Sequence, residues 1–194
     1  MFFFVMAGLM MLEVTAASSI SVSNLSHSAV INDRYDFKGI RQELASSNLF
    51  YQIQPQYGET PSEKTIAYFG FTKNSLRIWV LCEHQMTPIQ SDTNKRDQRI
   101  DSGDSVLIVL DTFHDGKHAF VFGTNPNNAL MDGIIENNED INYSWDGQWN
   151  VSVTMNQYSW LAVFDIPFDT LQFSNQVKQS WGVNISRFIH KKNE

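Results

Sequence analysis

Short apolar runs separated by polar turns repeat along the chain from about residue 50 onward. Val151 and Val153 alternate with Ser152 and Thr154, which is the period-two pattern of a strand with one buried face. The run 106–110 is apolar at every position, which is typical of a strand covered on both faces. The pattern predicts strands at 50–54, 65–72, 76–83, 105–111, 118–123, 149–155, 160–166 and 181–188.

The segments between these runs contain residues that favour turns. Asp115-Gly116 stands between two apolar runs and predicts a hairpin, because glycine supports the positive φ that tight turns need. The longer separators, 84–104 and 124–148, are the polar loops in which we expect ligand contacts. The segment 33–49 has a weak helical period, which allows one short helix. We therefore predict an all-β fold, a jelly-roll-like β-sandwich with long polar loops and at most one or two short helices.

Residues 2–12 form an apolar run that is too short to cross a bilayer as a helix, and small residues follow at 16–19. This pattern indicates a secretory signal, although no Lys or Arg precedes it. We expect a signal peptide at 1–17, a linker at 18–29 and one domain at 30–194. Secretion across the inner membrane would place the domain in the periplasm, at the outer membrane or outside the cell. The alternative is that the apolar run is the first helix or strand of the domain.

The formal net charge is -7, and the 14 Lys and Arg residues form no dense cluster. A nucleic-acid site needs a basic stripe that neutralises phosphates, so we expect no nucleic-acid partner. The single cysteine, Cys82, lies in the apolar run 78–82. It excludes an intramolecular disulfide and is predicted to be a buried, unreactive thiol.

The sequence does not organise catalytic groups for a reaction. Acidic pairs fall in turns or loops, no Gly-x-Ser-x-Gly motif exists, and the five His residues lack zinc-like spacing. We predict no catalytic residues, and any glycoside hydrolase activity would come from a neighbouring module. Asp111 and Asp115 could offer oxygens to a structural calcium ion, while the simpler interpretation of both is a plain hairpin turn.

Sugar binding requires a flat aromatic face with amides and charged groups around it. Trp145 lies in the polar loop 142–147 and is the best candidate for such a platform. Trp79 and Trp160 lie in predicted strands, where core positions are expected.

A series of short motifs stands in a fixed order from about residue 30 to the end of the sequence. They are Phe50-x-Gln52-x-x-Pro55-x-x-Gly58, Lys64-Thr65, Asn74-Ser75-Leu76, Arg96-Asp97, Gly103-Asp104-Ser105-Val106, Leu110-Asp111-Thr112-Phe113-x-Asp115, Phe122-x-x-Asn125-Pro126, Trp145-Asp146-Gly147-x-Trp149, Ile166-Pro167-Phe168-x-x-Leu171-x-Phe173 and Gln179-x-Trp181-Gly182-x-Asn184-x-x-Arg187. Their order and spacing resemble the family 9 carbohydrate-binding modules, in the version found at the N-terminus of large bacterial outer-membrane proteins of undefined function.

The resemblance implies a jelly-roll-like β-sandwich, secretion, carbohydrate binding and a membrane β-barrel that normally follows the domain. In the sugar-binding members a Trp precedes the Asp-Ser-Val-type strand, and an acidic residue lies early in that strand. This chain has Asp101 and Leu107 near those positions.

Our leading hypothesis is a non-catalytic carbohydrate-binding module of a secreted or envelope protein that serves polysaccharide breakdown. Its ligand would be a polysaccharide or oligosaccharide. Arg96 and Asp97 are candidate sugar contacts, and they could equally form an ion pair that pins their loop. The alternative hypothesis is a structural domain that docks on an outer-membrane β-barrel or another envelope partner without binding sugar. The full set of predicted sugar contacts is Arg96, Asp97, Asp101, Asn125, Trp145 and Trp181.

Overall fold

The computed structural model describes residues 22–24, 41–42, 44–85, 88–91, 93–97, 100, 102–137 and 139–194. The predicted signal peptide, 1–17, lies outside these ranges. The described residues form ten strands and two single-turn 3₁₀ helices, Phe168–Thr170 and His190–Lys192. Among them, no helix has the length and apolar character needed to span a bilayer. The strands are β1 (Ser23–Asn24), β2 (Ala45–Ser47), β3 (Thr65–Phe71), β4 (Ser75–Glu83), β5 (Ser105–Asp111), β6 (Ala119–Thr124), β7 (Met131–Ile135), β8 (Asn150–Met155), β9 (Ser159–Pro167) and β10 (Gly182–Phe188).

The strands form two sheets. The first has the order β1-β3-β4-β9-β8, and β2 pairs with the same outer edge of β3 as β1 does. The second has the order β10-β5-β6-β7. The described pairings are antiparallel except for β1 with β3, which is parallel. This architecture confirms the predicted all-β, jelly-roll-like sandwich.

Alternate residues of the central strands point into one core between the sheets. Ile78 and Val80 of β4 are fully buried there, and Ile108 and Leu110 of β5 meet them from the second sheet. Because side chains alternate along a strand, each central strand supplies this core from every second position. Burying such a side chain contributes about 1.5–3 kcal/mol relative to leaving it exposed.

The outer face of the second sheet is also apolar and covered. Leu107 and Val109, on the other side of β5, are buried in a second cluster with Ile100 and Val121. This confirms that the run 106–110 is covered on both faces.

Two local predictions were wrong near the start of the domain. Residues 45–47, inside the segment predicted as a short helix, form β2. Residues 50–54 are not a strand, because the backbone of Gln52 pairs across a local turn with Glu59 and Gly58, at 2.8 Å each. The left-handed φ of 84° at Gly58 allows this turn.

Candidate functional site

Arg96 and Asp97 lie in a turn between β4 and β5, and Arg96 reaches β7 and the β7–β8 loop. Its Nη2 donates to both carboxylate oxygens of Asp132, at 2.9 and 3.0 Å, and to the carbonyl of Gly147 at 2.9 Å. It also donates to the exposed carboxylate of Asp146. The Arg96 Nε lies 3.5 Å from Asp97. The guanidinium therefore ties three parts of the chain together.

The Asp132 carboxylate on β7 is fully buried. Burial raises its pKa above the usual value, opposed by the backbone N–H of Gly147, which donates at 2.6 Å, and by the charge of Arg96. The geometry is that of a structural ion pair which fastens the 93–97 turn to β7 and to the β7–β8 loop.

Asn125 is buried and its amide is occupied by backbone groups. Its Nδ2 donates to the carbonyl of Thr93 at 2.8 Å, and its Oδ1 accepts from Asn127 and Ala129 at 3.0 and 3.1 Å. The side chain shapes the turn after β6 and holds the 84–104 loop against it.

Both tryptophans predicted as sugar contacts are half-buried in aromatic clusters. Trp145 packs on Phe120 and Phe122, with ring centroids 5.3 and 6.1 Å away. Trp181 packs on Phe173 at 5.4 Å, and its indole N–H donates to Gln179 at 3.2 Å. These two rings lie among core residues rather than on an open platform.

Leu107, near the position at which the resemblance implies an acidic residue, lies in an apolar cluster. Leu107 is buried with Ile100 and Met131, and their side chains meet at Gly123, where a Cβ would approach each of them within 2.9 Å. Asp101 lies outside the described residues.

Asp111 and Asp115 build the β5–β6 hairpin turn. Asp111 accepts from the backbone N–H of Asp115 and of Gly116, at 3.2 and 2.8 Å. Asp115 accepts from the N–H of Lys117 and contacts His118 Nδ1 at 2.7 Å, and this His118 contact lowers the pKa of Asp115 to about 2. The hairpin prediction is confirmed, and the described residues contain no group of three His, Cys, Asp or Glu side chains that could hold a metal.

A groove of about 710 Å³ lies at the end of the first sheet where β3 begins, β4 ends and β8 turns into β9. We call it the Tyr158 groove, because the Tyr158 ring on the β8–β9 turn lines it and is 58% exposed. Its polar lining includes Asn48, Lys64, Glu83, His84, Gln85 and Asn156.

Hydrogen bonds hold the backbone of the β8–β9 turn at the edge of the groove. Asn156 closes the β8–β9 turn, accepting on its Oδ1 from the N–H of Tyr158 and of Ser159, at 2.8 and 3.0 Å. The N–H of His84 donates to the Tyr158 carbonyl at 2.8 Å. The tyrosine is therefore held beside the end of β4.

The polar groups of the groove suit hydroxyl ligands. Lys64 and Glu83 form an open ion pair at 3.9 Å, with 57% and 47% of their side chains exposed. Both ring nitrogens of His84 are buried without a hydrogen-bond partner among the described residues. A positively charged donor, Lys64, and a negatively charged acceptor, Glu83, therefore lie beside one exposed aromatic ring.

None of the described residues predicted as sugar contacts lines this groove. The sequence marked Asn156-Gln157-Tyr158-Ser159 only as a turn. A tyrosine at a hairpin tip is a weak signal, and the groove joins segments more than 70 positions apart, which strand patterns do not bring together.

The sandwich belongs to a known architectural class. No family model matches the chain, and no curated protein matches it either. Solved structures do match: the chain has the fold of the family 9 carbohydrate-binding modules, which confirms the resemblance at the level of fold.

Three matching structures illustrate this likeness. A Bacteroides uniformis protein proposed to bind carbohydrate has 11% identity and a TM-score of 0.68, over 88% of this chain and 83% of its own. A family 9 module of Caldicellulosiruptor kristjanssonii in complex with glucose has 14% identity and a TM-score of 0.51, over 84% and 74%. A family 9 module of the same organism in complex with cellotriose has 13% identity and a TM-score of 0.51, over 90% and 86%.

Proposed function

We propose that this chain is a non-catalytic carbohydrate-binding module and that the Tyr158 groove is its glycan site. The observation that carries the proposal is the exposed Tyr158 ring, set in a groove whose lining is rich in polar side chains. The fold supports it as well, since the neighbours named above are carbohydrate-binding modules or are proposed to bind carbohydrate.

The groove has the size and chemistry that a short glycan needs. Its volume falls within the range of about 300–1,000 Å³ that is usual for ligand pockets. The apolar face of a pyranose ring would stack on Tyr158, and its hydroxyls would bond to the exposed side chains of Lys64 and Glu83. Because hydrogen bonds already hold the Tyr158 backbone in place, little backbone entropy is lost on binding.

The carboxylates of the groove favour binding over hydrolysis. Glu63 is 3% exposed and bonded to Lys192, and Glu83 is paired with Lys64. Glycoside hydrolysis requires two carboxyl groups that face the scissile bond from opposite sides. In the lining of this groove only Glu83 presents an open carboxylate.

The cellular setting belongs to the same proposal. The apolar run 2–12 and the family resemblance support a secreted or envelope protein that serves polysaccharide breakdown beside an outer-membrane β-barrel. Mass spectrometry of the mature protein tests the leader: a cleaved N-terminus supports secretion, and an intact Met1 start contradicts it.

Titration calorimetry tests the site directly. We expect the wild type to bind glucose or oligosaccharides such as cellotriose, with or without added calcium. Tyr158→Ala should weaken binding by about tenfold, the equivalent of about 1.4 kcal/mol of lost stacking. Tyr57→Ala is the matched control, because Tyr57 is 67% exposed but does not line the groove, and it should leave affinity unchanged.

Two results contradict the proposal. Flat responses of the wild type to soluble and insoluble polysaccharides would remove carbohydrate binding and favour the docking-domain alternative. Equal losses in Tyr158→Ala and Tyr57→Ala would remove the groove as the site.

A further inference from the structure

One wall of the Tyr158 groove is held by side chains from the last strand and the segment after it. The wall is the strip 62–65, just before and at the start of β3. Arg187, Lys192 and Glu194 all contact this strip, across more than 120 sequence positions. We call these three residues the clasp.

Lys192 and Glu194 hold the outer half of the wall. The Lys192 ammonium donates to Ser62 Oγ at 3.0 Å and to the carboxylate of Glu63 at 2.5 Å. Glu194 Oε1 accepts from the backbone N–H of Ser62 at 2.8 Å. The backbone N–H of Ile189 donates to the Glu194 carbonyl at 2.5 Å, which closes the segment into a compact turn.

Arg187 holds the inner half from beneath. Its Nη1 donates to the carbonyl of Lys64 at 3.2 Å and to Thr65 Oγ1 at 3.1 Å, and its Nη2 donates to the Glu83 carbonyl at 2.7 Å. Arg187 is 4% exposed and lies on β10 of the second sheet, whereas its partners lie on the first sheet or beside it. The guanidinium therefore joins both sheets under the groove.

Lys192 of the clasp supplies the charge partner of a buried carboxylate in the wall. Glu63 is 3% exposed, and a buried carboxylate without a partner is strongly unfavourable. Without the Lys192 ammonium, Glu63 would turn toward water and move Ser62 and Lys64 with it. Lys64 lines the groove.

We propose that Arg187, Lys192 and Glu194 are positioning residues, which set the groove wall from behind without touching the ligand. The inference rests on the proposed function of the groove. Because the clasp and the ligand stabilise the same wall position, each strengthens the other by the same free energy. Occupation of the groove therefore protects the 189–194 turn from opening.

Hydrogen exchange followed by NMR tests the clasp without any sugar. The reporters are the Ser62 amide, which donates to Glu194, and the Glu83 amide, which donates to the Lys64 carbonyl at 2.9 Å. Lys192→Met should accelerate exchange at both amides about tenfold, because a charge-assisted contact is lost. Lys191→Met removes the same charge from an exposed neighbour and should change neither amide.

Calorimetry on the same variants links the clasp to binding. Oligosaccharide affinity should fall about tenfold in Lys192→Met, stay unchanged in Lys191→Met and be restored in Lys192→Arg. Unchanged exchange in Lys192→Met, or equal affinity losses in Lys192→Met and Lys191→Met, would overturn the inference. If the wild type binds no sugar, the proposed function fails, and the exchange rates alone decide whether the clasp holds the wall.

Discussion

Asp132 places a charged carboxylate where water does not reach it. Such a group is tolerated only when charge and hydrogen bonds replace its hydration. Arg96 supplies the charge to both oxygens, and the Gly147 N–H supplies a further donor. The pKa of Asp132 is nevertheless raised, because burial outweighs these favourable contacts.

Removing the guanidinium should therefore destabilise the fold. We expect Arg96→Met to lower the free energy of unfolding by about 2 kcal/mol at pH 7. This is less than for a fully enclosed pair, because 35% of the Arg96 side chain is exposed. Urea denaturation measures the loss. Asp146→Asn is the control, since that carboxylate is 73% exposed, and it should cost less than about 0.5 kcal/mol.

The pH dependence of this loss has a definite sign. An acid whose folded-state pKa is raised favours the folded state below its unfolded value, near 3.8, and loses that advantage as pH rises through the folded value. Arg96→Met raises the folded pKa of Asp132 further, so its destabilisation should shrink from pH 7 toward pH 4. A variant that loses sugar affinity with unchanged unfolding free energy would instead support Arg96 as a sugar contact.

The sequence showed Arg96-Asp97 as a polar pair but left its role open between sugar contact and ion pair. The deciding partner, Asp132, lies 36 positions away on a strand that the pattern did not predict. Asp and Gly, the residue types at positions 132 and 133, are depleted in strands. Gly133 is required because a Cβ there would lie 2.6 Å from Ile141 and 2.9 Å from the Asn142 carbonyl.

At the scale of elements, the β7–β8 loop closes one side of the sandwich. β7 and β8 are the edge strands of their sheets, and the loop between them carries Trp145 and Trp149. Trp149 stacks on Phe164 of the first sheet at 5.8 Å, and it contacts Phe122 of the second sheet at 5.1 Å. The loop therefore packs aromatic side chains against the core and also carries polar residues on its surface.

Trp145 is one of these packed aromatic side chains, so its removal should lower the stability of the fold. We expect Trp145→Ala to lower the free energy of unfolding by about 2–3 kcal/mol, because Phe120 and Phe122 lose a packed ring. Chemical denaturation checks the value. Phe113→Ala truncates an aromatic ring that is 48% exposed, and it should cost under about 1 kcal/mol.

Sugar titration of the same Trp145 variant separates packing from binding. Affinity equal to that of the wild type is expected, since Trp145 does not line the Tyr158 groove. A selective loss of affinity at near-normal stability would return Trp145 to the ligand site.

Strand prediction succeeded for β5, in which every apolar position of the run 106–110 is buried. β5 is apolar on both faces because a core covers one side and loops cover the other, and the hydrophobic run alone indicates this. Prediction failed at 50–54, where Phe50 packs into the core between the sheets although its segment belongs to no strand. A buried segment outside the sheets leaves the same hydrophobic pattern as a strand, so the pattern cannot separate the two.

At the scale of the molecule, one wall of the groove on the first sheet is bonded to a side chain of the second sheet. Arg187 reaches from the second sheet to the carbonyl of Glu83 on β4 and to that of Lys64 just before β3. These residues are far apart in sequence, and their types are ordinary for a surface. Fold class could therefore be predicted from local alternation, while the contacts behind the groove wall form only when the two sheets pack together.

Cys82 reports on the packing of the two sheets, because it is fully buried on β4 in the core between them. Burial raises the pKa of its thiol to about 11. A thiol reagent at pH 8 should therefore leave the native protein unlabelled while it labels the unfolded chain rapidly. The labelling rate should rise with urea along the slope of global unfolding, since the thiolate appears only when the sheets separate. Glutathione in the same buffer controls for the reagent. A shallow urea dependence would show instead that the end of β4, beside the groove, opens on its own while the rest of the sandwich stays closed.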